Sequence, residues 1–515
     1  MPDAHYYEDE MNQAAKGSAM VLLGMIASLG IEFIIRVFVA RTLSPSDLGV
    51  FTLALKILNL LLLVSVIGLD RGATKSISSA IAMKEEGVAG EIAGSILLVS
   101  FVLSVIVASL LFWISDYLEF IFAMTNFASI TKILSLTLVP LLLIRLLSAI
   151  FGGLKRFLPK LLINDFMLYG SRILLIIAAF LTSASLLNYV AAILISSVAS
   201  LFVYTLYFFK RSNIKLSFSL RKILALIAIF SPLALEVLMS QLLMSIDVIL
   251  LGINFTDEIV GFYSAGLSLS QFTLVPVLAI GYVYLPIASQ YATKEEKSDL
   301  NQLYLALTKW SIVLTLPFTF LFLIFPYTTL SLFGAEYIIA SNWFAVLSIG
   351  YAIHAFTGLA GSTLVAFERA KVDATIWILG TMAAFLLGIV VIPLGGGLFA
   401  AGAVVTGFLI IDSAHLIYLR AAFELELINQ NIVKMILWGM IWVILLRLVS
   451  IEPNNGLSLL FLPFLFLGVC FLVLIGLFAT RSLSAGDLVF LDIISRITGR
   501  EFVVLRSWLI RIIKE

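Results

Sequence analysis

The chain has 515 residues with a mean hydropathy of +1.13, and 62% of its residues are apolar, against roughly 45–50% in an ordinary soluble domain. This composition excludes the soluble globular classes. The net charge of +1 argues against a nucleic-acid partner, and the single cysteine, Cys470, provides neither a disulfide framework nor a cysteine-based metal site.

Apolar stretches long enough to cross a bilayer, at about 20 residues per crossing, divide the chain into fourteen predicted spans. Spans seven and eight are longer than one straight crossing needs, so we expect tilt or extension, with Pro232 and Pro276 as kink points. The spans lie near 17–40, 48–69, 92–114, 128–151, 161–182, 187–209, 223–253, 259–290, 305–326, 339–366, 373–393, 397–420, 434–451 and 457–480. The acidic N-terminus is unlike a secretory signal, so span one is predicted to be retained.

The basic residues outside the spans fall on one side. Of the 32 Lys and Arg residues, Arg41 occupies an odd-numbered loop, six lie well inside spans, and the others lie in even-numbered loops, near the span ends next to those loops, and in the two tails. Because basic residues near span ends resist translocation, the pattern predicts a multi-pass cell-membrane protein with both termini in the cytoplasm. The six intramembrane cations are Arg36, Lys56, Lys132, Arg145, Arg172 and Arg447.

An internal repeat organises the spans. Shifting the chain by 212 residues lays Ser44–Thr52 over Thr256–Ser264, and in both copies a polar outer turn precedes a glycine, Gly49 or Gly261. An even number of spans separates the copies, so the repeat is parallel. Chance reuse of turn chemistry is the alternative. The Gly395-Gly396-Gly397 run is interpreted as the outer turn between spans 11 and 12.

The predicted fold is therefore an all-α polytopic membrane protein with 14 transmembrane helices, arranged as two six-helix lobes in parallel repeat plus two C-terminal helices. The predicted segments are a cytoplasmic tail (1–16), an N-lobe (17–209), a linker (210–222), a C-lobe (223–420), spans 13 and 14 (434–480), and a tail (481–515). In the tail, apolar and basic residues alternate as in an amphipathic helix on the inner leaflet, a partner-docking helix being the alternative.

At this point the residues resemble a known family. The run from Ala40 to Phe51, ARTLSPSDLGVF, resembles the A-R-x-L-G-P-x-x-Y-G signature of polysaccharide transporters in the multidrug/oligosaccharidyl-lipid/polysaccharide (MOP) exporter superfamily. The departures are Ser44 for glycine and Leu48 for tyrosine. Further matching blocks are Ser245–Gly252, Val260–Ala265 running on to Pro286, and Leu332–Tyr337.

The resemblance covers nearly the whole chain. It implies a flippase that moves a polyprenyl phosphate- or pyrophosphate-linked oligosaccharide across the cytoplasmic membrane by alternating access, for polysaccharide or cell-surface glycan biosynthesis. The implied partners are the lipid-linked oligosaccharide, membrane lipids and glycan assembly enzymes. Nothing in composition or spacing names the glycan or its lipid carrier.

Buried cations provide a physical counterpart to that expectation. Charges at mid-bilayer are costly, so Arg36, Lys56, Arg145 and Arg172 are expected to face a protein interior or a cavity, where they would attract an anionic phosphate head group. Snorkelling or a structural ion pair is the alternative for each cation, and it is the preferred interpretation for Lys132.

Buried carboxylates are the candidates for energy coupling. Glu32 is four residues from Arg36 and shares its helix face, so the two can pair. Asp247 and Glu236 share a face of span seven and, like Glu32, are candidates to exchange H+ or Na+, with structural pairing as the alternative. Asp412 and His415, three residues apart, are predicted to form a hydrogen-bonded pair.

The sequence holds neither a catalytic motif nor a metal-ligand pattern, and we expect no cofactor beyond a coupling ion. A membrane glycosyltransferase or polymerase is one alternative function, although the outer loops are too short for a catalytic domain. A cation-coupled multidrug antiporter of the same superfamily is the other, and its pocket should favour carboxylates and aromatic rings.

Overall fold

The computed structural model describes residues 4–212, 214–449, 452, 456–483, 487, 488, 495 and 507, and this part of the chain is helical without strands. Thirteen of its described helical segments are long and apolar enough to cross a membrane. The helices are α1 (Ala4–Thr42), α2 (Pro45–Val66), α3 (Leu69–Ala82), α4 (Glu86–Phe122), α5 (Phe127–Gly153), α6 (Leu168–Thr182), α7 (Leu186–Arg211), α8 (Leu220–Asn254), α9 (Asp257–Ser270), α10 (Val275–Thr293), α11 (Lys297–Ile324), α12 (Pro326–Leu330), α13 (Ser341–Thr357), α14 (Leu359–Ala366), α15 (Ala370–Phe423), α16 (Gln430–Leu448) and α17 (Leu462–Ala479).

Helix α15 accounts for the difference between thirteen segments and fourteen predicted spans. It has 54 residues, which at about 1.5 Å per residue would be about 80 Å long if straight, far more than a bilayer core of about 30 Å. Gly396 interrupts it with φ 59° and ψ −136°, so two helices meet at a kink. The kink lies in the glycine run where the turn between spans 11 and 12 is predicted, and the all-α fold is confirmed, with thirteen segments that agree with fourteen spans when α15 is counted as two helices.

Several spans are broken or continue past their predicted ends. α3 prolongs the second span after a left-handed break at Ile67 and Gly68. Within the eighth span, a 3-10 segment, Gln271–Leu274, precedes Pro276, close to the predicted kink point. α8 runs without a break through Pro232. A π-helical segment, Lys160–Met167, begins the fifth span and continues directly into α6.

The start of α2 explains why Ser44 can replace the glycine of the family signature. Ser44 is the N-cap, its Oγ accepts a hydrogen bond from the Asp47 backbone N–H, and the Asp47 carboxylate accepts one from the Ser44 backbone N–H. This reciprocal capping box satisfies two helix donors. Pro45 at the first helical position has a backbone angle already suited to the helix.

The chain divides by packing into two units, residues 1–261 and 262–515. In the first unit, Phe151 stacks on Tyr204 with 5.8 Å between ring centroids, within a core formed by α2 to α8. α8, which the sequence analysis placed in the C-lobe, packs against α2, α3 and α4 of this unit. The predicted boundary between the lobes, the linker 210–222, stays a prediction, whereas the packing boundary falls at Gly261, within α9.

In the second unit, buried tyrosines tie α10 to its neighbours. The Tyr284 hydroxyl lies 2.7 Å from Thr363 Oγ1 on α14, and the Tyr284 ring packs edge-on against Tyr304 of α11. Because a buried hydroxyl needs a hydrogen-bond partner, the Thr363 contact fixes the side chain in one orientation.

Candidate functional site

The first predicted pair lies on α1. Arg36 Nη2 donates to Glu32 Oε1 at 3.0 Å, which confirms the contact expected from the four-residue spacing. Both side chains are partly buried, and Glu32 lies within electrostatic reach of Arg172 and Lys56. The pair therefore belongs to a larger charged cluster.

Lys56 of α2 is the most enclosed of the predicted substrate-binding cations, with 6% of its surface exposed. Its Nζ donates to the Met244 carbonyl oxygen of α8 at 2.6 Å, and the Asp247 carboxylate lies close enough to attract it. Asp247 Oδ1 also accepts a hydrogen bond from the Val248 N–H at 2.8 Å. The ammonium thus joins α2 to the middle of α8.

Arg145 of α5 has a carboxylate partner that sequence analysis missed. Its Nε and Nη2 lie 2.8 Å and 2.7 Å from Asp70 Oδ2, at the start of α3. Asp70 lies just past the predicted second span, 48–69, whereas in the structure α3 continues the helix to Ala82. The next residue, Arg71, pairs with Glu236 of α8 at 3.4 Å.

Arg172 of α6 differs from the other three cations. Its Nε is buried and has no hydrogen-bond partner in the described part of the chain. Its guanidinium carbon lies 5.1 Å from the centroid of the Tyr169 ring, a cation–π distance. The guanidinium therefore retains a donor that no described residue uses.

Tyr169 lies within the charged cluster. Glu32, Arg172, Asp165 and Arg145 all lie within electrostatic reach of its side chain. The structure therefore brings together residues that the sequence places on separate spans. The cluster carries no excess of positive charge, because Asp70 and Asp247 join Glu32 and Asp165 among the four cations. The four cations are the predicted substrate-binding residues Arg36, Lys56, Arg145 and Arg172.

The predicted Asp412–His415 pair is wrong, because each side chain pairs with a different helix or half-helix. His415 Nε2 lies 2.8 Å from Asp373 Oδ1, in the first half of α15, and His354 Nδ1 of α13 lies 2.9 Å from Asp412 Oδ1. His354 also stacks on Phe408 at 4.4 Å. Asp412 and His415 are three residues apart and therefore lie on one helix face. The two side chains nevertheless contact different partners, His354 and Asp373.

The remaining intramembrane cations have structural contacts. Lys132 Nζ pairs with Asp116 Oδ1 at 2.7 Å, which confirms the structural interpretation preferred for it. Arg447 Nε donates to the Leu323 carbonyl oxygen at 2.7 Å. Neither contact leads toward the charged cluster around Tyr169.

The family can be assigned at this point. The sequence profile of a family described as "Polysaccharide biosynthesis protein" matches residues 38–343, more than half of the chain. The chain belongs to this polysaccharide biosynthesis family. The matched range contains Lys56, Asp70, Arg145, Arg172 and Asp247.

One sequence relative and two solved structures are similar to this protein over most of its length. It is 22% identical over 531 residues to an uncharacterised membrane protein of Methanocaldococcus jannaschii, covering 95% of this chain and 99% of that protein. It resembles the lipid II flippase MurJ in an inward closed conformation, with a TM-score of 0.67 and 15% identity over 88% of this chain and 97% of MurJ. An inward-facing multidrug resistance MATE family transporter of the MOP superfamily matches with a TM-score of 0.63 and 15% identity, covering 84% and 100%. At these identities the solved structures establish the fold.

The start of the predicted C-terminal tail of this protein packs against α11. Lys309 Nζ lies 2.5 Å from Asp487 Oδ1 and donates to the Ser482 carbonyl oxygen at 3.0 Å. Trp310 Nε1 donates to the same aspartate at 2.8 Å. The tail is thus anchored at its start, and most of the predicted amphipathic segment, 481–515, lies outside the described residues.

Proposed function

We propose that this protein is a flippase that translocates a polyprenyl phosphate- or pyrophosphate-linked oligosaccharide across the cell membrane by alternating access. Family membership and the MOP-superfamily fold support transport in polysaccharide biosynthesis. The lipid-linked substrate is what the family resemblance implies, and the charged cluster supports it because a guanidinium is suited to bind a phosphate. Glycan assembly enzymes and membrane lipids are the proposed partners, and both termini are proposed to be cytoplasmic.

Arg172 carries the proposal. A partly buried guanidinium presents several donors in a fixed plane that suits phosphate oxygens, and one Arg172 donor has no described partner. Arg36 and Lys56 lie near it, and both already have protein contacts. In the proposed complex, Arg172 binds the phosphate directly, while Arg36, Lys56 and Arg145, each already held by protein contacts, add attraction at longer range.

The surrounding carboxylates serve that arrangement. Without Glu32, Asp70 and Asp247, the four cations would repel one another in a medium of low dielectric constant. Each acid lowers that cost, so the protein can hold several cations in a membrane-embedded cluster. A bound phosphate would compete with these carboxylates for the cations. The carboxylates would pair with the cations again when the phosphate leaves.

Binding separates this function from the cation-coupled antiporter. Purified protein is heated with a polyprenyl pyrophosphate or with the hydrophobic cation tetraphenylphosphonium, and the shift in Tm is measured. We expect the pyrophosphate to raise Tm by several degrees, because a ligand that binds the folded state stabilises it. Stabilisation by tetraphenylphosphonium alone would instead support the antiporter.

Matched variants locate the binding site. Arg172→Gln should abolish most of the pyrophosphate-induced shift in Tm, and Arg172→Lys should restore part of it if a point charge suffices. Lys132→Gln removes a cation that is paired with Asp116 and should leave the shift unchanged. An equal shift in Arg172→Gln and the wild type would exclude Arg172 from the site.

A further inference from the structure

Like Asp412, which pairs with His354 through its other oxygen, Asp165 has a buried carboxyl oxygen without a hydrogen-bond partner in the described chain, but unlike Asp412 it makes no ion pair among the described residues. It is 3% exposed, and its Oδ1 accepts a hydrogen bond from Asn164 Nδ2 at 2.6 Å. Its Oδ2 has no hydrogen-bond partner in the described part of the chain. In contrast, Glu32 is paired with Arg36, and Asp70 with Arg145.

The backbone around Asp165 is also unusual. The residue lies in the π-helical segment Lys160–Met167, which packs against α1. π-Helical turns are rare and are frequent at functional sites because they redirect side chains. Here the segment directs Oδ2 toward Gly24 of α1. A Cβ added at Gly24 would lie 2.0 Å from Oδ2, so only glycine leaves room for the carboxyl.

The groups that face this carboxyl leave it without a full counter-charge. On its own segment, Lys160 attracts it, at a distance that gives no ion pair among the described contacts. Tyr204 of α7 and Tyr169 of α6 lie within electrostatic reach of it, and Ser148 of α5 lies beside Tyr204. Arg145 of α5 is occupied by its own ion pair. Residues 20–28 of α1, on the glycine side, are uncharged.

We propose that Asp165 is the proton-binding carboxyl of the transport cycle, seated against Gly24 when protonated. The role of Asp165 in transport rests on the proposed flippase function, whereas proton binding by Asp165 is inferred from the local packing. A neutral carboxyl fits the seat because it leaves no unmatched charge, whereas an ionised one is costly where an oxygen has no donor. Proton binding adds one H+ to Oδ2, and proton release requires water or Lys160 to reach that oxygen.

Proton release is therefore linked to opening of the contact between α1 and the π-helical segment. Glu32 follows Gly24 by eight residues on α1, about 12 Å along the helix axis. A displacement of α1 at Gly24 thus moves the Glu32–Arg36 pair within the charged cluster. The geometry assigns the coupling role to Asp165 in place of Glu32, Asp247 or Glu236, which already have contacts with donors or cations.

The first test needs no substrate. Wild-type protein in liposomes is treated with dicyclohexylcarbodiimide, a lipid-soluble reagent that adds to protonated carboxyls, at several pH values between 5 and 9. Peptide mass spectrometry then locates the adducts. We expect Asp165 to be modified, with the extent falling at least tenfold as the pH rises, and Glu32 to remain unmodified. No adduct at Asp165 at any pH would overturn the proposal, as would protection by Na+ at constant pH, which would make sodium the ligand.

Two glycines of α1 provide a matched pair of variants. Gly24→Ala should shift the pH profile of Asp165 labelling, because the new methyl group displaces Oδ2 from its seat. Gly30→Ala should leave the profile unchanged, because its Cβ would meet nothing within 4 Å. An unchanged profile in Gly24→Ala would show that Gly24 does not form the seat.

Transport then tests the coupling role. Wild-type protein and Asp165→Asn are compared for flipping of a fluorescent polyprenyl pyrophosphate in liposomes with and without an imposed pH gradient. We expect the gradient to change the rate at least several-fold for wild type and by a factor of about one for Asp165→Asn. Equal gradient dependence in both would exclude Asp165 as the coupling group. If wild type does not flip the probe, the proposed function fails, while the labelling result still decides whether Asp165 binds a proton.

Discussion

Variants of the Asp70–Arg145 pair distinguish a structural role of Arg145 from a role in substrate binding. We expect Asp70→Asn to lower the free energy of unfolding by about 1 kcal/mol, since it leaves Arg145 without its partner and both side chains are only partly buried. Adding Arg145→Gln should cost less than the sum of the two single changes. Thermal unfolding of the purified variants measures this coupling.

The double variant then identifies the function of the cation. If Arg145 itself attracts the phosphate, Asp70→Asn/Arg145→Gln should remain folded yet bind the polyprenyl pyrophosphate several-fold more weakly than wild type. Wild-type affinity in a stable double variant would show that the pair is purely structural.

Glu452, which lies outside the membrane spans, gives a pH-dependent contribution to stability. Its carboxylate accepts hydrogen bonds from the backbone N–H groups of Tyr327 and Thr328 at 3.3 Å and 2.5 Å. Burial nevertheless raises the pKa of Glu452 above its ordinary value of 4.5, because desolvation outweighs those hydrogen bonds. The folded state therefore holds the proton more tightly than the unfolded chain.

The stabilisation from Glu452 is consequently complete below pH 4.5 and declines as the pH rises through the raised pKa. We expect the difference in Tm between wild type and Glu452→Gln to shift against wild type between pH 4 and pH 7. Unfolding curves at three or four pH values measure it. A difference that stays constant, or that shifts in favour of wild type, would contradict the assigned direction.

At the residue scale, the sequence predicts pairs within one helix better than pairs between helices. The four-residue spacing gave Glu32–Arg36 correctly, because helix geometry alone determines it. The three-residue spacing of Asp412 and His415 gave the wrong pair, because Asp373 and His354 approach from other helical segments. Asp70 and the seat of Asp165 depend on tertiary packing, which a single sequence does not specify.

At the scale of elements, the internal repeat has a direct structural counterpart at the ends of α2 and α9. A Cβ added at Gly49 would lie 2.0 Å from the Asp257 carbonyl oxygen, and one added at Gly261 would lie 1.9 Å from the Pro45 carbonyl oxygen. The shift of 212 residues relates Pro45 to Asp257 and Gly49 to Gly261. The two copies of the repeat therefore contact each other through equivalent residues.

This contact predicts opposite effects for two kinds of glycine. Gly49→Ala and Gly261→Ala should each lower the free energy of unfolding by about 2 kcal/mol or more, because backbone atoms would have to move. Gly402→Ala, whose Cβ would meet nothing within 4 Å, should be neutral or stabilise by up to about 1 kcal/mol through helix propensity. Thermal unfolding compares the three variants. Equal effects at all three positions would show that the helix crossing is looser than the structure indicates.

Span number and the location of the repeat were predictable from hydropathy and turn residues, since both are local patterns. The packing of α8 was not, because hydropathy identifies a span without identifying the helices against which it packs. The π-helical segment was also missed, since Lys160–Met167 reads as an ordinary apolar stretch interrupted by Asn164 and Asp165. Those two polar residues, four to five positions after Lys160, are the signal that marks the segment in the sequence.

At the scale of the whole molecule, the bias of basic residues predicts the orientation of the chain. In a variant with Cys470 replaced by alanine, single cysteines at Lys84 and Glu295 should react with a membrane-impermeant maleimide only after the membrane is opened. Cysteines at Ser183 and Asp257 should react in intact cells. Reaction of Lys84 or Glu295 from outside would invert the topology and with it the direction of the proposed transport.

The central claim is that the protein flips an anionic polyprenyl-linked substrate, and Arg172 gives the most direct measurement. Wild-type protein and Arg172→Gln are reconstituted in liposomes with a fluorescent polyprenyl pyrophosphate saccharide, and an impermeant quencher reports the fraction in each leaflet. We expect wild type to exchange the probe between leaflets and Arg172→Gln to do so at least tenfold more slowly, while a zwitterionic fluorescent phosphatidylcholine is not flipped by either. Failure of wild type to move the pyrophosphate probe faster than protein-free liposomes would contradict the account.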